Sequence, residues 1–376
     1  MRIFLMCLGW WMAAAVWAAP IQVTDVVGRS ITLEKPAQRF VISEGRYVFT
    51  LSILRPENPV AGLVGMMQPI SWTYPELEQE IFERHPEAHD IVYFGRQDAS
   101  SVSVERIIDL KPEVALFGVQ DHGPGSSNAE LLEQLEKAGI QVVFIDFRMQ
   151  PLKNTVPSIR IMGQVLGAQD RAEAFIAFYE SRWNQVADRV SGQVKTPADR
   201  PTVFLQAHAG RFDCCMGMAD GMLGPFVEVA GGSNIADAVA PGPTSQHTME
   251  FLLVENPDVW IGTGSGTPND FAEQKNMLTL GPAVKPEMAT ASLRRYLSGD
   301  SFQALSAVSA ARAYGIWHDF YNSPLNVVAL EAFAKWIHPP LFQDLDPQQT
   351  MLQIYQQFLP FSWHGTATSS LKSSTE

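Results

Sequence analysis

The sequence predicts an α/β protein: two Rossmann-like lobes with parallel sheets, joined by a long rigid helix, with a ligand cleft between the lobes. Three observations carry this expectation. One pattern occurs twice, 145 positions apart: Ser103-Val104-Glu105-Arg106-Ile107-Ile108 leading to Pro112-Glu113-Val114-Ala115-Leu116, and Thr248-Met249-Glu250-Phe251-Leu252-Leu253 leading to Pro257-Asp258-Val259-Trp260-Ile261. In each copy a hydroxyl residue caps a short amphipathic helix, a proline stops it, and an apolar β-favouring run follows. Around both copies short apolar strands alternate with helical patterns, which is the mark of a parallel sheet. Between them Ala172, Phe175, Ile176, Tyr179, Trp183, Val186 and Val190 recur at steps of three and four, the spacing of one helix face.

Taken in order, the elements begin with a strand pair at Ile21 to Thr24 and Ser30 to Leu33, then a strand at Phe40-Val41-Ile42 entering a loop and a helix near Val48 to Leu54. Short apolar runs at Val60 to Val64, Ile91 to Phe94, Val114 to Phe117 and Val142 to Ile145 are strands. Helical periodicity covers Pro75 to Arg84, Val104 to Leu110 and Ala129 to Ala138. A helical stretch from about Leu152 to Val190, breakable at Gly167, joins this lobe to a second series. That series holds a strand at Val203 to Gln206, a helix near Phe226 to Ala230, the second copy of the repeat, and a strand at Ala313 to Trp317. It closes with helices near Leu325 to Ile337 and Thr350 to Phe358. The expected divisions are a signal peptide over 1–18, a lobe over 19–150, the joining helix over 151–195, a second lobe over 196–364 and a disordered Ser/Thr-rich tail over 365–376. A helical joint is stiff, so closure on a ligand is expected to be small.

An apolar share of 46% over 376 residues supports two proper cores. The formal charge is −13 with no basic block, which argues against nucleic acid and anionic membrane surfaces as partners. Met1-Arg2, an apolar run from Ile3 to Val16 and Trp17-Ala18-Ala19-Pro20 read as an export signal cut after Ala18. Loss of Arg2 leaves 26 basic residues against 40 acidic ones, a mature charge of −14. Leu5-Met6-Cys7 lacks the small residue that precedes a lipidated cysteine, so an unanchored periplasmic monomer is expected.

At this point the sequence resembles the substrate-binding proteins of ATP-driven importers for ferric siderophores, haem and vitamin B12, the class with a helical backbone between lobes. The resemblance runs through Val23 to Arg29 with Pro36 to Ile42, the first repeat, Ala230-Gly231-Gly232-Ser233-Asn234-Ile235, and the second repeat. It continues through Leu305 to Val308, Ala313 to Ile316, Tyr321 to Pro324 and Lys335 to Pro339. It implies a non-catalytic receptor with no resident cofactor, which captures a small-molecule metal chelate, first of all a ferric siderophore, for an inner-membrane ABC permease. It further implies that Glu105 and Glu250 meet arginines of that permease. Each carboxylate stands early on its helix, where the helix N-terminus favours negative charge.

Ligands of a parallel α/β lobe meet the loops at the carboxyl ends of its strands. That rule nominates Arg46, Tyr47, Trp72, Arg96, His122 and Arg148 in the first lobe, and His208, Arg211, His247, Trp317 and Tyr321 in the second. Arginines and aromatics suit a large, partly apolar, anionic chelate. Loop histidines His122, His208, His247 and His318 leave a bare metal ion open as ligand, although no His-x-x-x-His or Cys-x-x-Cys spacing supports it. Haem, a cobalamin, nickel and molybdate species remain alternatives. Cys214-Cys215 can form a vicinal disulfide or stay as structural thiols. Ser245 near His247 is the nearest approach to an exported hydrolase, without a Gly-x-Ser-x-Gly elbow.

Overall fold

A computed structural model describes residues 19–96, 98–120, 122–212, 214–238 and 242–372. The expected export signal lies outside the described residues. The first lobe opens with an antiparallel pair, β1 (Ile21–Thr24) and β2 (Ser30–Leu33). Its sheet is wholly parallel and consists of β3 (Phe40–Ile42), β4 (Leu63–Met66), β5 (Val92–Tyr93), β6 (Val114–Gly118) and β7 (Gln141–Ile145), in the order β5-β4-β3-β6-β7. All residues of β3 and β6 are buried, as strands covered by helices on both faces must be.

The second lobe contains β8 (Thr202–Gln206), β9 (Met216–Met218), β10 (Ser233–Asn234), β11 (Thr244–Gln246), β12 (Val259–Gly264), β13 (Gly281–Pro282), β14 (Ala313–Trp317), β15 (Gly365–Thr366) and β16 (Thr368–Ser370). Its main sheet runs β11-β9-β8-β12-β14-β16, with β10 beside β8. The β8-β12-β14 core is parallel, while β9, β11 and β16 add antiparallel edges. Both copies of the repeat form the expected unit. Ser103 Oγ accepts from Arg106 N and Thr248 Oγ1 from Phe251 N, each at 3.2 Å, capping the helices Val104–Asp109 and Met249–Glu255. Each helix leads into a central strand, β6 or β12, and leaves its glutamate exposed.

The joint is two consecutive helices, Pro151–Leu166 and Gln169–Gln193, rather than one. Gly167 ends the first in the left-handed region at φ 71°, a conformation open to glycine at little cost. Of the seven residues that marked the helix face, six are buried and Trp183 is partly buried against the core. A buried polar chain ties the joint to the second lobe: Tyr179 Oη donates to Asn326 Oδ1 at 2.8 Å, and Asn326 Nδ2 donates to Thr155 Oγ1 at 2.7 Å. Satisfied buried polar chains of this kind hold helices in one arrangement.

The tail departs from expectation. Residues 365–370 are not disordered: β15 pairs with β13, and β16 pairs with β14. A Ser/Thr-rich segment has too little apolar surface to fold alone, but β14 offers an open edge whose backbone groups need partners. Backbone pairing asks nothing apolar of the incoming strand. The short strands β9 and β11 and the helix Pro286–Tyr296 also went unanticipated.

Candidate functional site

Loops at the carboxyl ends of β3, β4, β6, β7, β8 and β14 converge on a cavity of about 690 Å³ between the lobes. An adjoining chamber of about 360 Å³ shares Trp72, His208, Arg211, His318 and Asp319 with it. Both lobes therefore contribute walls, as the placement of ligands at strand carboxyl ends requires.

On the first-lobe side, Glu44 is fully buried and ion-paired with Arg46. His122 Nδ1 lies 2.8 Å from Arg46 Nη2 and 3.1 Å from Glu44 Oε1, so the imidazole bridges the two members of the pair. Glu44 Oε1 in turn accepts from the His122 backbone N–H at 2.8 Å. Burial alone would raise the Glu44 pKa, but the Arg46 charge and the bonds from His122 outweigh it and hold the carboxyl well below its usual range. Arg148 sits on a loop organised by buried Asp146, whose carboxylate accepts from the backbone N–H groups of Arg148, Met149 and Gln150 at 2.7 to 2.9 Å. Arg148 Nη1 donates to the Gln120 carbonyl at 3.0 Å, which aims the side chain along the cavity wall.

Across the cavity, the His208 and His318 rings stack with centroids 3.4 Å apart. Thr263 Oγ1 fixes both, accepting from His208 N at 2.9 Å and lying 2.8 Å from His318 Nδ1. Burial, with the Arg211 charge beside it, pushes His208 down to about 4, so its imidazole is neutral near pH 7. Burial likewise pushes Asp319 up to about 6, against the pull of Arg46 and Arg211. The cavity thus sets three guanidiniums, Arg46, Arg148 and Arg211, against two carboxylates, one of which takes up a proton near pH 6. An anion is the favoured occupant.

Gly210 allows the His208 loop to adopt its path. Its φ is +82°, and a Cβ there would stand 1.8 Å from the Asn276 carbonyl oxygen. Gly210→Ala is therefore expected to cost at least about 2 kcal/mol through left-handed strain and backbone clash. Calorimetry checks this, and an unchanged melting temperature would show that the segment around Asn276 yields freely.

Seven of the eleven nominated residues line the 690 Å³ cavity: Arg46, Trp72, His122, Arg148, His208, Arg211 and Tyr321. Trp317 is buried beside the adjoining chamber, and Arg96 lies beyond Trp72 in a first-lobe pocket that shares Trp72 with the cavity. Two residues are elsewhere. Tyr47 is buried at the start of the helix Tyr47–Leu54, with its ring 6.0 Å from that of Phe147. His247 is buried too, 2.6 Å from Ser245 Oγ through Nε2 and stacked on Phe251. Strand parity explains this, because side chains alternate along β11: Thr244 faces the cavity, while Ser245 and His247 point the other way. The same burial removes the Ser245-His247 pair from contact with any substrate. The strand-end rule covers the loops that hold Gln68, Phe212 and Asp319, which line the cavity, and Glu44, which is buried behind Arg46, but it does not single these four out. Cys214 and Cys215 form a vicinal disulfide across a cis peptide bond, and Cys215 exchanges backbone hydrogen bonds with His247 at 2.9 Å. Among the described residues no group of three or more His, Cys, Asp or Glu side chains is arranged to hold a metal ion, and no helix is long and apolar enough to cross a membrane.

The periplasmic binding protein family model matches residues 75–287, more than half of the chain. No curated protein matches. The chain is similar over 94% of its length to the whole of the solved TroA-like periplasmic binding protein FepB from Veillonella parvula, with 26% identity and a TM-score of 0.81. The molybdate-bound periplasmic protein MolA of Haemophilus influenzae shares 17% identity, with 92% of this chain and 99% of that one covered and a TM-score of 0.64. A periplasmic haem-binding protein from Pseudomonas aeruginosa shares 17% identity, covering 90% of this chain and all of that one, with a TM-score of 0.55. At such identities the last two show the fold alone. With its two parallel-sheet lobes, helical joint and interlobe cavity, the chain belongs to the periplasmic binding protein family, the non-catalytic solute-binding components of ABC importers.

Proposed function

We propose that this protein, exported and acting as an unanchored monomer, captures an anionic iron chelate of the ferric siderophore type and delivers it to an inner-membrane ABC permease. The observation that supports this reading is the convergence of Arg46, Arg148 and Arg211 from both lobes on one cavity of about 690 Å³, with Trp72, Phe212 and Tyr321 beside them. Guanidiniums recognise catecholate or carboxylate oxygens, and the rings cover the ligand's apolar body. Delivery is assigned to Glu105 and Glu250, exposed at matching positions of the two lobes.

Neutral His208 in the cavity wall favours a second reading, haem, because an unprotonated imidazole can ligate iron. Quenching of tryptophan fluorescence separates the two. Ferric tris-catecholate and ferric citrate complexes are expected to bind, and Arg148→Ala and Arg211→Ala each to weaken binding at least about 10-fold, the worth of one charged hydrogen bond. A response to haem or to uncomplexed metal alone would overturn the siderophore reading.

A further inference from the structure

The outer edge of the second-lobe sheet carries a cavity of about 290 Å³ that shares no lining residue with either chamber of the interlobe cleft. It lies along β16, the last strand in the order β11-β9-β8-β12-β14-β16. Two helices also contribute walls, Pro286–Tyr296 through Pro286 and Thr290, and Pro347–Phe358 through Gln348 and Met351.

Pairing with β14 decides which backbone groups of β16 face outward. Trp317 N donates to the Ala367 carbonyl at 2.8 Å and Leu371 N to the Ala313 carbonyl at 3.3 Å, so Ala367, Ser369 and Leu371 turn their backbone groups towards β14. In an antiparallel ladder such residues alternate with ones whose groups point the other way. Thr368 and Ser370 therefore direct their N–H and C=O groups away from β14, where these groups have no hydrogen-bond partner among the described residues. Both residues line the cavity. An edge strand with free donors and acceptors is a template for another strand. The side chains around that edge add an apolar and a charged preference. Trp336, stacked on Tyr314 with centroids 4.6 Å apart, lines the cavity together with Val328 and Met351. Among the described residues Lys372 is the one charged group of the lining, and it is exposed and pairs with no carboxylate.

We propose that the β16 edge is a docking site for an extended peptide segment, which adds as a further strand beside Thr368 and Ser370, sets an apolar side chain against Trp336 and Met351, and pairs a carboxylate with Lys372. The assignment does not rest on the siderophore reading of the interlobe cleft. The outward groups of Thr368 and Ser370 recur about 7 Å apart, the two-residue repeat of a strand. An extended peptide reproduces that repeat, whereas a compact small molecule leaves part of the row unmatched. A basic peptide would meet Lys372 with like charge.

Calorimetric titration of the mature full-length protein with the peptide acetyl-Val-Thr-Val-Glu-amide tests it. Saturable binding is expected, with Thr368→Pro and Lys372→Glu each weakening it at least about 3-fold. Proline is tolerated on an edge strand where the lost N–H faces outward, so Thr368→Pro removes one docking donor and no bond to β14. The same peptide methylated on its backbone nitrogens, or carrying lysine in place of glutamate, is expected to bind at least about 3-fold more weakly. Circular dichroism confirms that each variant folds; should Thr368→Pro fail to do so, Lys372→Glu and the methylated peptide still decide. Absence of saturable binding, equal binding of the methylated peptide, or insensitivity to Lys372→Glu would each overturn the proposal. A concentration-dependent dimer in sedimentation, with no peptide binding, would assign the edge to a second copy of this chain and overturn it as well.

Discussion

Reversing both exposed glutamates, Glu105→Arg together with Glu250→Arg, is expected to abolish ligand uptake while leaving ligand affinity unchanged. Each glutamate stands in the first turn of a capped helix at the surface of its own lobe, and neither lines the interlobe cavity. Two charge-assisted hydrogen bonds at about 1.5 to 3 kcal/mol each amount to at least about 100-fold in docking affinity, and reversal adds repulsion to that loss. Each single reversal is expected to give a partial defect, because the other lobe still engages. Uptake of labelled chelate by cells, measured beside fluorescence titration of the purified variants, separates docking from capture. Intact uptake by the double variant would sink the docking role, and a parallel loss of affinity would place the glutamates in ligand binding.

Glu44→Ala is expected to cost about 3 to 5 kcal/mol of stability, the usual result of removing one member of a buried ion pair. Glu44 is fully buried and Arg46 only 8% exposed, at the wall of the cavity, so water replaces the carboxylate that neutralises the guanidinium poorly. At about 2 °C per kcal/mol for a protein of this length, the melting temperature should fall by roughly 6 to 10 °C. Glu44→Gln keeps the acceptor for the His122 N–H and should lose less. The pH dependence has a defined sign. Because the folded carboxyl titrates below its unfolded value, the stabilisation is fully present above the unfolded pKa of about 4.3 and is lost as pH falls through the folded value. Melting curves between neutral and acid pH should show this loss in the wild-type protein and a smaller one in Glu44→Gln. A Glu44→Ala protein as stable as wild type would show that Arg46 relaxes to solvent.

How much of this was legible in the chain varies by the range of the forces involved. The strand Ala313–Trp317 and the helix Pro75–Arg84 have the predicted bounds because local periodicity and a proline at the helix start specify them. The caps Ser103 and Thr248 act over three residues and are equally plain. In contrast, β16 exists only because β14 leaves an edge for it, a fact about a partner more than fifty residues away. Loop membership was readable, yet orientation within a loop was not: His247 and Thr244 lie three residues apart, and strand parity sends one into the core and the other to the cavity.

By itself, then, the sequence determined two α/β lobes, a helical joint between them and an arginine- and aromatic-rich set of loops at the strand ends, because periodicity, capping and turn chemistry are local. Tertiary structure alone decided that Glu44 neutralises Arg46, that His208 stacks on His318 over Thr263, and that Trp72 is shared by the interlobe cavity and an adjoining first-lobe cavity. Those contacts join residues from separate loops, and their energies depend on burial and mutual distance, which exist only once the chain has packed.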